Sequence, residues 1–412
     1  MKQENKFAGN ELKYLNNVLR SKSSYVLKLE NLFSIKNKVK YSIAVNSGTA
    51  ALHACLAALG VGYGDEVIIP AHTVIMPTFA TLERNANPVY ADIDKNTFNI
   101  CPQNIEKKIT KKTKVIIAVH MHGLPADMIK IMKIAKKYKL FVIEDAAQCL
   151  MGEIGKKMIG SFGDMACYSF ETKKHLCGFE GGMITTNNSR FATKARQFAG
   201  LGYKNLTSKS GIKQKLPDFF RNPNYKRHGT LGLNYRMNEL TAAVVLAQLE
   251  KVNFFIQRRI NNAKSFLKII NKTDWLVPQF VPKGFKHVYW TITLKYLGDK
   301  KFNLTWKDFF KIYKKFMGES FYAGLSLVPE EKILKNFSEI KKYNPNYVKC
   351  SYCKTKSPCI LSKKKYTCKN AYDIQPRLIQ LKANHRNKEY VKTLSKKLSK
   401  LIVEINSNSK YK

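Results

Sequence analysis

The sequence has few residues that break regular structure and no long apolar run. Its 412 residues include 22 Gly and 13 Pro, too few for a fibrous or low-complexity chain. The longest uncharged stretch, residues 41–64, contains polar side chains, and the next, residues 67–82, contains two prolines. No membrane-spanning helix is therefore predicted. The first 20 residues mix charged and polar side chains and offer no apolar segment suited to a secretory signal, so a cytoplasmic location is expected.

Acidic residues are scarce. The chain has 29 Asp and Glu against 72 Lys and Arg, a formal net charge of +43 at pH 7. Such a charge favours nucleic acid, anionic surfaces or phosphorylated substrates as partners. Only 11 of the 72 basic residues are Arg, however, and they are scattered, whereas reading of bases and phosphates depends largely on Arg. A dedicated nucleic-acid partner is not expected, and the lysine surplus is interpreted as solvated surface.

Cysteine is uncommon, and nine residues without an export signal are expected to be free thiols. Four of them fall within 19 residues in a C-x2-C-x5-C-x8-C pattern, namely Cys350, Cys353, Cys359 and Cys368. The first spacing is that of a zinc site, but the paired C-x2-C repeat is missing. Structural zinc and unligated thiols on a surface excursion both stay open, and no metal is assigned to the functional site.

Short apolar runs alternate with helical patterns through the first half of the chain. Strands are predicted at residues 41–45, 66–69, 89–92, 115–119, 141–143, 166–169 and 183–185. Helical patterns at residues 50–59 and 126–138 lie between them. This alternation predicts an α/β fold with a mainly parallel sheet covered by helices.

The pattern changes in the second half of the chain. From residue 237 a long helical pattern begins, a strand is predicted at residues 289–294, and an amphipathic helix closes the chain at residues 388–405. We therefore expect a large domain over residues 1–250, with an N-terminal helical arm, and a smaller α+β domain over residues 251–412. Residues 204–228 are polar, basic and predicted to form a long loop.

The segment YSIAVNSGTAALHACLAALG reads as a strand, a tight turn at Ser47 and Gly48, and a helix that opens at Thr49. The start of a helix leaves backbone N–H groups unpaired, and the helix dipole favours an anion such as phosphate there. Ordinary helix capping produces the same residues, so this segment alone leaves both interpretations open.

The segment LFVIEDAAQ reads as a buried strand that ends in Glu144, Asp145 and Gln148. The carboxyl edge of a parallel sheet is where ligands bind. A carboxylate there could hold a protonated ring nitrogen, pair with a charged cofactor or bind a metal, or it could cap the next segment.

The segment GDMACYSFETKKHLCGFEGGMITT places two lysines, Lys173 and Lys174, in a turn between strands. A lysine whose pKa is lowered and which is shielded from water can form a Schiff base with a carbonyl. The chain has 61 lysines, so the residue type alone decides nothing. A phosphate cup, a carboxylate and a lysine on one sheet are, together, what a pyridoxal phosphate site requires.

The sequence resembles the DegT/DnrJ/StrS sugar aminotransferases, which are fold-type I pyridoxal phosphate enzymes acting on keto sugars attached to nucleotides. The resemblance is dense over residues 41–252. It rests on the motifs NSGTAALHACLAALGVGYGDEVIIPAHT, PVYADID, VHMHGLPADM, VIEDAAQ, GDMACYSFETKKHL, FEGGMITT and GLNYRMNELTAAVVLAQLEKV.

The resemblance implies a role for each matching residue. The family's Schiff-base lysine follows the strand serine by five residues, so Ser169 assigns that role to Lys174 and makes Lys173 a neighbour. Asp145 is implied to pair with the pyridine nitrogen of the cofactor. Lys174 is further implied to act as the base and acid of the proton shift after the incoming amine releases it.

The remaining implied contacts concern the cofactor phosphate and ring. Thr49, Ala50 and Ser169 are implied to bind the phosphate, and Gln148 is implied to contact the ring region. Asn234 is implied to reach the phosphate in a neighbouring subunit, which predicts a homodimer with shared active sites.

One family position differs in this chain. The fourth residue after Pro70 is commonly an aromatic ring that stacks on the cofactor, and here it is Val74. Ring cover is then expected from Val74 itself or from His72. Three other histidines match no family role and are expected to be core or supporting residues, namely His53, His120 and His122.

The resemblance implies a pyridoxal-phosphate-dependent aminotransferase that moves an amino group, usually from glutamate, to a keto group of a nucleotide-linked deoxysugar in aminosugar or polysaccharide biosynthesis. One alternative is a sugar dehydratase of the same fold, but such relatives carry His at the Schiff-base position, and Lys174 argues against it. A second alternative is a non-catalytic basic binding or regulatory protein that kept the fold.

Overall fold

Strands and helices alternate through the first half of the chain, as the hydrophobic pattern predicts. The computed structural model describes residues 7, 9–20, 24–209, 218–335 and 367–407. The strands of this half are β1 Tyr41–Val45, β2 Glu66–Pro70, β3 Asn87–Ala91, β4 Thr113–Val119, β5 Phe141–Asp145, β6 Glu153–Ile154, β7 Lys157–Met158, β8 Met165–Ser169 and β9 Gly182–Thr186. Its helices are α1 Glu11–Leu19, α2 Tyr25–Asn37, α3 Gly48–Ala58, α4 Met76–Leu82, α5 Pro102–Glu106, α6 Met128–Tyr138 and α7 Ser189–Ala199.

Seven of these strands form one sheet with the order β1-β9-β8-β5-β4-β2-β3. Strand β9 runs antiparallel to both of its neighbours, and the other adjacent pairs are parallel. The prediction of a mainly parallel sheet is confirmed. In the register, Val119 pairs with Asp145 and Asp145 pairs with Cys167, so β4, β5 and β8 end at the same edge. That edge is where an open α/β sheet binds ligands.

Both faces of the sheet are buried. Along β4, Val115, Ile117 and Val119 belong to the hydrophobic core under α3, α4 and α7, while Ile116 and Ala118 belong to the core under α2 and α6. Alternate residues of a strand point to opposite faces, so a strand covered on both sides must be apolar throughout. This explains why the strands appear in the sequence as unbroken apolar runs.

The second half of the chain builds a separate small sheet. It contains α8 Glu239–Glu250, α9 Val252–Ile270, β10 Leu276–Pro278, β11 Phe285–Lys286, β12 Thr291–Tyr296, α10 Gly298–Phe302, α11 Trp306–Met317, α12 Lys332–Lys335, α13 Lys369–Ile374, β13 Leu378–Lys382 and α14 Lys388–Ser407. Strands β10, β12 and β13 pair antiparallel around a third core, which includes Trp275 and Phe309. Strand β11 instead pairs with β6, which extends to β7.

The long helical pattern that begins at residue 237 is two helices. The backbone leaves the helical conformation at Lys251 (φ −103°, ψ 13°), between α8 and α9. Because neither Gly nor Pro marks this position, the hydrophobic period does not reveal the break.

Helix α9 joins two cores. Its first half, with Val252 and Ile256, packs in the core under α2 and α6, and its second half, with Ala263 and Phe266, packs in the core of the small sheet. The expected boundary between residues 250 and 251 falls between α8 and α9, and the division into residues 1–250 and 251–412 stays a prediction.

Two expectations fall partly on residues that the structure does not describe. Cys350, Cys353 and Cys359 lie outside the described residues, and so does part of the predicted loop at residues 204–228. The fourth cysteine of the pattern, Cys368, is buried at the start of α13, and burial raises the pKa of its thiol to about 12. Among the described residues, no group of three or more His, Cys, Asp or Glu is placed to hold a metal ion. Within the same ranges, no helix has both the length and the apolar composition needed to cross a membrane.

Candidate active site

The start of α3 forms the predicted turn and helix N-terminus. Ser47 has an extended backbone and caps the helix, because its Oγ accepts a hydrogen bond from the Ala50 N–H at 3.1 Å. Thr49 is half-buried in the first turn. The Ala51 N–H donates to the Ser47 carbonyl at 3.1 Å, so the N–H groups of both Ala50 and Ala51 have partners within the helix start. The first N–H groups of α3, at Gly48 and Thr49, are the ones placed for an anion.

Ser169, the last residue of β8, lies against this helix start. A Cβ added at Gly48 would lie 2.9 Å from the Ser169 Cβ, closer than carbon atoms pack. Gly48 thus allows α3 to approach the end of β8. The helix start that carries Thr49 and Ala50 therefore lies next to Ser169, and the binding of a phosphate by these three residues stays a prediction.

Asp145 and Glu144, at the end of β5, have different surroundings. Glu144 is fully buried, and its carboxylate accepts hydrogen bonds from the N–H groups of Gly160 at 2.9 Å and of Phe162 and Gly163 at 2.8 Å. His120 Nδ1 accepts from the Ala126 N–H, so a neutral ring carries its proton on Nε2, which lies 3.3 Å from Glu144. Glu144 therefore holds a loop, and His120 supports it, as expected for a core residue.

Asp145 is 3% exposed and has fewer partners. Its Oδ1 accepts a hydrogen bond from the Ala147 N–H at 3.1 Å. Burial raises the pKa of Asp145, while the hydrogen bond from the Ala147 N–H and the charge of Lys174 lower it. A cation beside this carboxylate therefore favours its charged form. Gln148 follows in the same loop, and its Oε1 accepts from the His122 N–H at 2.8 Å.

The structure separates the two adjacent lysines. Lys173 is exposed, whereas Lys174 is half-buried with its Nζ 4.8 Å from the centre of the Trp290 ring. Burial lowers the pKa of Lys174, and the charge of Lys173 lowers it further, while Asp145 and Glu171 raise it. A lower pKa makes the neutral, nucleophilic amine more available. Asp145 and Lys174 thus lie close enough to influence each other's charge.

Two residues from distant parts of the chain fix the lysine turn. The Trp290 indole N–H donates to the Lys173 carbonyl at 3.1 Å. A guanidinium nitrogen of Arg259 donates to the Lys174 carbonyl at 3.3 Å. Sequence reasoning missed both residues, because they lie on α9 and just before β12 and no local motif links them to the lysine.

The expected ring cover has two candidates. Val74 is half-buried, and His72 is fully buried. Neither ring nitrogen of His72 has a hydrogen-bond partner among the described residues, and burial lowers the pKa of His72 to about 4. Its ring centre lies 6.3 Å from that of His122. Which residue covers the cofactor ring stays a prediction.

Asn234 is exposed and lies apart from Lys174 in the sequence. Its backbone pairs with Gly200, and its carbonyl lies 3.5 Å from the Asn46 side-chain amide, one residue before Ser47. His53, by contrast, is buried with its Nδ1 2.9 Å from the Tyr235 hydroxyl, as expected of a core residue.

Comparison with known proteins identifies the family of the chain. Residues 5–314 match the DegT/DnrJ/EryC1/StrS aminotransferase family. The chain belongs to this family. It is therefore a pyridoxal-phosphate-dependent aminotransferase, and pyridoxal phosphate is its cofactor.

Two relatives and one solved structure illustrate the similarity. A GDP-perosamine synthase of Escherichia coli O157:H7 is 36% identical over 291 residues, which cover 69% of this chain and 75% of the relative. A pleiotropic regulatory protein of Geobacillus stearothermophilus is 34% identical over 291 residues, covering 69% of this chain and 73% of that protein. The crystal structure of an aminotransferase from Psychrobacter cryohalolentis matches the fold with a TM-score of 0.83 and 24% identity, covering 98% of this aminotransferase and 100% of that chain.

Proposed function

We propose that this aminotransferase transfers an amino group, with glutamate as donor, to a keto group of a nucleotide-linked deoxysugar in aminosugar or polysaccharide biosynthesis. The observation that carries the proposal is that a half-buried Lys174 lies close enough to the buried carboxylate of Asp145 for each charge to shift the pKa of the other group. The similarity to a GDP-perosamine synthase supports a nucleotide-linked sugar as acceptor.

The residues at this edge of the sheet fit pyridoxal phosphate. In the first turn of α3, the N–H groups of Gly48 and Thr49 would hold the phosphate together with the hydroxyl of Ser169, because N–H groups and the helix dipole favour an anion there. The Ala50 N–H would join them by releasing the Ser47 Oγ. Because Gly48 has no Cβ, the start of α3 can lie close to Ser169. Asp145 would pair with the ring nitrogen, and Gln148 would contact the ring. Bound pyridoxal phosphate supplies an electron sink for the negative charge that forms when the substrate carbon loses its proton.

Lys174 performs the acid–base work in this proposal. Its Nζ must lose and regain a proton as the amino group moves, so a pKa lowered towards neutrality assists it. Burial supplies that shift. Trp290 lies against Nζ and excludes water from one side, and Arg259 and Trp290 hold the turn by its carbonyl groups. A cation beside Asp145 favours the charged form of its carboxylate.

A spectroscopic experiment tests the proposed site. The purified protein with pyridoxal phosphate is reduced with borohydride, and the labelled lysine is mapped; we expect the label on Lys174. The Lys174→Ala variant should lose the label and all turnover, while the matched Lys173→Ala variant keeps both. Label on Lys173, or activity in the Lys174→Ala variant, would show that the assignment is wrong. Glutamate should shift the absorption band of the bound cofactor, and screening nucleotide-linked keto sugars then identifies the acceptor.

The regulatory alternative is tested by the same preparation. The similarity to a pleiotropic regulatory protein is the observation that favours it. A protein that binds the cofactor but neither responds to glutamate nor aminates any keto sugar would support a regulatory role, and steeply salt-dependent binding of DNA or RNA would strengthen it.

We further infer a cytoplasmic homodimer with shared active sites. The segment around Asn234 exposes apolar side chains, with Leu231 90% and Leu233 42% exposed, and a dimer would cover them. The buried cysteines of the described residues are free thiols, which is typical of the cytoplasm. Light scattering gives the mass in solution, and a monomer would contradict the dimer.

Mixing two inactive variants tests the sharing of sites. If Asn234 completes the site of the partner subunit, the Lys174→Ala and Asn234→Ala variants are each impaired. A mixed dimer then contains one site in which both residues are intact, so about a quarter of wild-type activity returns on mixing at equal concentrations. Mixing that restores no activity, although the variants exchange subunits, would place Asn234 within its own site or outside any site.

A further inference from the structure

A cavity of about 590 Å³ lies between the turn after β3 and the sheet of β10, β12 and β13, and Lys174 does not line it. The turn after β3, with Lys95 and Phe98, forms one wall, and Phe280, Tyr289 and Lys295 belong to the opposite side. None of the residues predicted to bind the cofactor lines it. Its size is that of small-molecule sites, which favour boundaries between structural units.

Hydrogen bonds between the two walls hold the cavity in shape. Oδ1 of Asp94 accepts from the N–H groups of Asn96 at 3.0 Å and of Thr97 at 2.8 Å, which fixes the turn that carries Lys95. The Phe280 N–H donates to the Asn96 carbonyl at 2.9 Å, and the Gln279 amide donates to the Thr97 carbonyl at 2.6 Å. A ligand would therefore meet a largely preformed site, which lowers the entropy cost of binding.

The lining combines positive charge with aromatic rings. Lys95 is exposed and forms no ion pair with any residue of the described ranges, while Lys295 pairs with Asp373. The side chain of Phe280 is 57% exposed beside these cations. Exposure of an apolar ring to water is unfavourable, so a ligand that covers the ring would be stabilised. A ligand that carries both a flat ring and an anionic group would use both features, since bases stack on aromatic side chains and phosphates bind lysine.

We propose that this cavity binds a nucleoside phosphate at a site separate from Lys174, with the base on Phe280 and the phosphate at Lys95. The net charge of +43 favours such an anion over neutral ligands. Asn96 and Asn271 also line the cavity, and a side-chain amide both donates and accepts hydrogen bonds, as recognition of the edge of a base requires.

The site shares a wall with the active site. Tyr289, which lines the cavity, stacks on His287 with ring centres 3.8 Å apart and an angle of 7° between the rings. The next residue, Trp290, covers the Nζ of Lys174. Tyr289 also adopts a left-handed backbone conformation (φ 45°), which is costly for a residue with a side chain. A nucleotide packed against Tyr289 would therefore contact the same segment that covers Lys174 through Trp290.

The test is a calorimetric titration of the cofactor-loaded enzyme with GDP and with UDP. Lys95→Ala and Phe280→Ala should each weaken one class of nucleotide site at least tenfold. The matched controls are Lys283→Ala, an exposed lysine outside the cavity, and Phe254→Ala, an exposed phenylalanine on α9; both should bind like the wild type. Equal binding by wild type, Lys95→Ala and Phe280→Ala, or binding of inorganic phosphate as tightly as GDP, would overturn the proposal.

A second readout separates this inference from the proposed function. The shift of the cofactor band with glutamate needs no nucleotide, so the Lys95→Ala and Phe280→Ala variants should keep it unchanged. If the acceptor is not a nucleotide-linked sugar, the cavity should still bind GDP or UDP with the same dependence on Lys95. A different outcome is that the acceptor sugar competes with all nucleotide binding while Lys95→Ala and Phe280→Ala leave that binding unchanged. The nucleotide site would then be the catalytic site, and the proposal would be wrong.

Discussion

Replacing Gly48 by alanine tests the close approach of α3 to β8 with a single methyl group. The added Cβ would lie 2.9 Å from the Ser169 Cβ and 3.4 Å from its Oγ. Two carbon atoms attract best at about 3.5–4.0 Å, so the helix start must retreat from Ser169 by about half an ångström or more. Both groups that the proposal assigns to the cofactor phosphate are then moved apart at once.

The expected magnitude follows from the cost of overpacking. An extra methyl group in a packed site typically costs about 1–3 kcal/mol, which would exceed the gain of up to about 1 kcal/mol from replacing Gly by Ala in a helix. If the strain appears in cofactor binding, a loss of about 1–3 kcal/mol corresponds to roughly 5- to 150-fold weaker binding of pyridoxal phosphate.

Titration of the cofactor band measures this loss, and thermal unfolding of the cofactor-free protein measures the strain on the fold. Gly62→Ala is the matched control, because a Cβ there meets no atom within 4 Å. We expect Gly62→Ala to bind pyridoxal phosphate like the wild type. Unchanged affinity in Gly48→Ala, together with unchanged stability, would refute the argument that Gly48 is required for the approach of α3 to Ser169.

Two further predictions concern the buried ionisable groups. Burial lowers the pKa of His53 and of His72 from 6.5 to about 4, and that of His287 to about 3. As the pH falls, these histidines therefore bind protons in the unfolded chain before they do so in the folded protein, and stability falls as the pH drops below 6.5. Between pH 7.5 and 5.5 we expect a loss of roughly 1.4 kcal/mol for each histidine, or about 4 kcal/mol in total, measured by urea unfolding; a flat profile would contradict the burial argument. Glu144→Gln should destabilise the fold by about 2–4 kcal/mol, because the new amide N–H group would face the loop N–H groups that now donate to the carboxylate. Asp145→Asn should instead leave stability nearly unchanged and abolish turnover. Equal effects of the two substitutions on stability and activity would contradict this division of roles.

The sequence predicts the sheet well because of where the sheet lies. Strands buried on both faces must be apolar throughout, so β1, β4 and β5 stand out as short runs bounded by polar turns. The break at Lys251 is missed for the opposite reason, since α8 and α9 share one apolar period and no Gly or Pro separates them. The two cores that meet on α9 depend on contacts between residues far apart in the chain, which a local pattern does not contain.

The candidate site is predictable only as far as local motifs reach. The turn before α3, the carboxylates after β5 and the lysines after β8 are each local, and the sequence places them at one edge. The strand pattern alone does not distinguish Glu144 from Asp145, because it does not show which of two adjacent residues points to which face; only the family resemblance assigns the cofactor role to Asp145. The loop residues 160–163 that satisfy Glu144 follow the carboxylates by fifteen or more positions. Trp290 and Arg259 are more distant still, so their contacts with the lysine turn are visible only in the structure.

The excess of lysine on the chain and the reactivity of Lys174 have separate causes. Exposed charges separated by more than about 8 Å are largely screened at physiological ionic strength, so the net charge of +43 acts on Lys174 mainly through its neighbour Lys173. Burial is the larger cause of the lowered pKa, and Asp145 and Glu171 oppose it. Raising the salt concentration should therefore change this pKa little, whereas removing Asp145 should lower it further. A pKa that rose steeply with added salt would instead assign the shift to the basic surface as a whole.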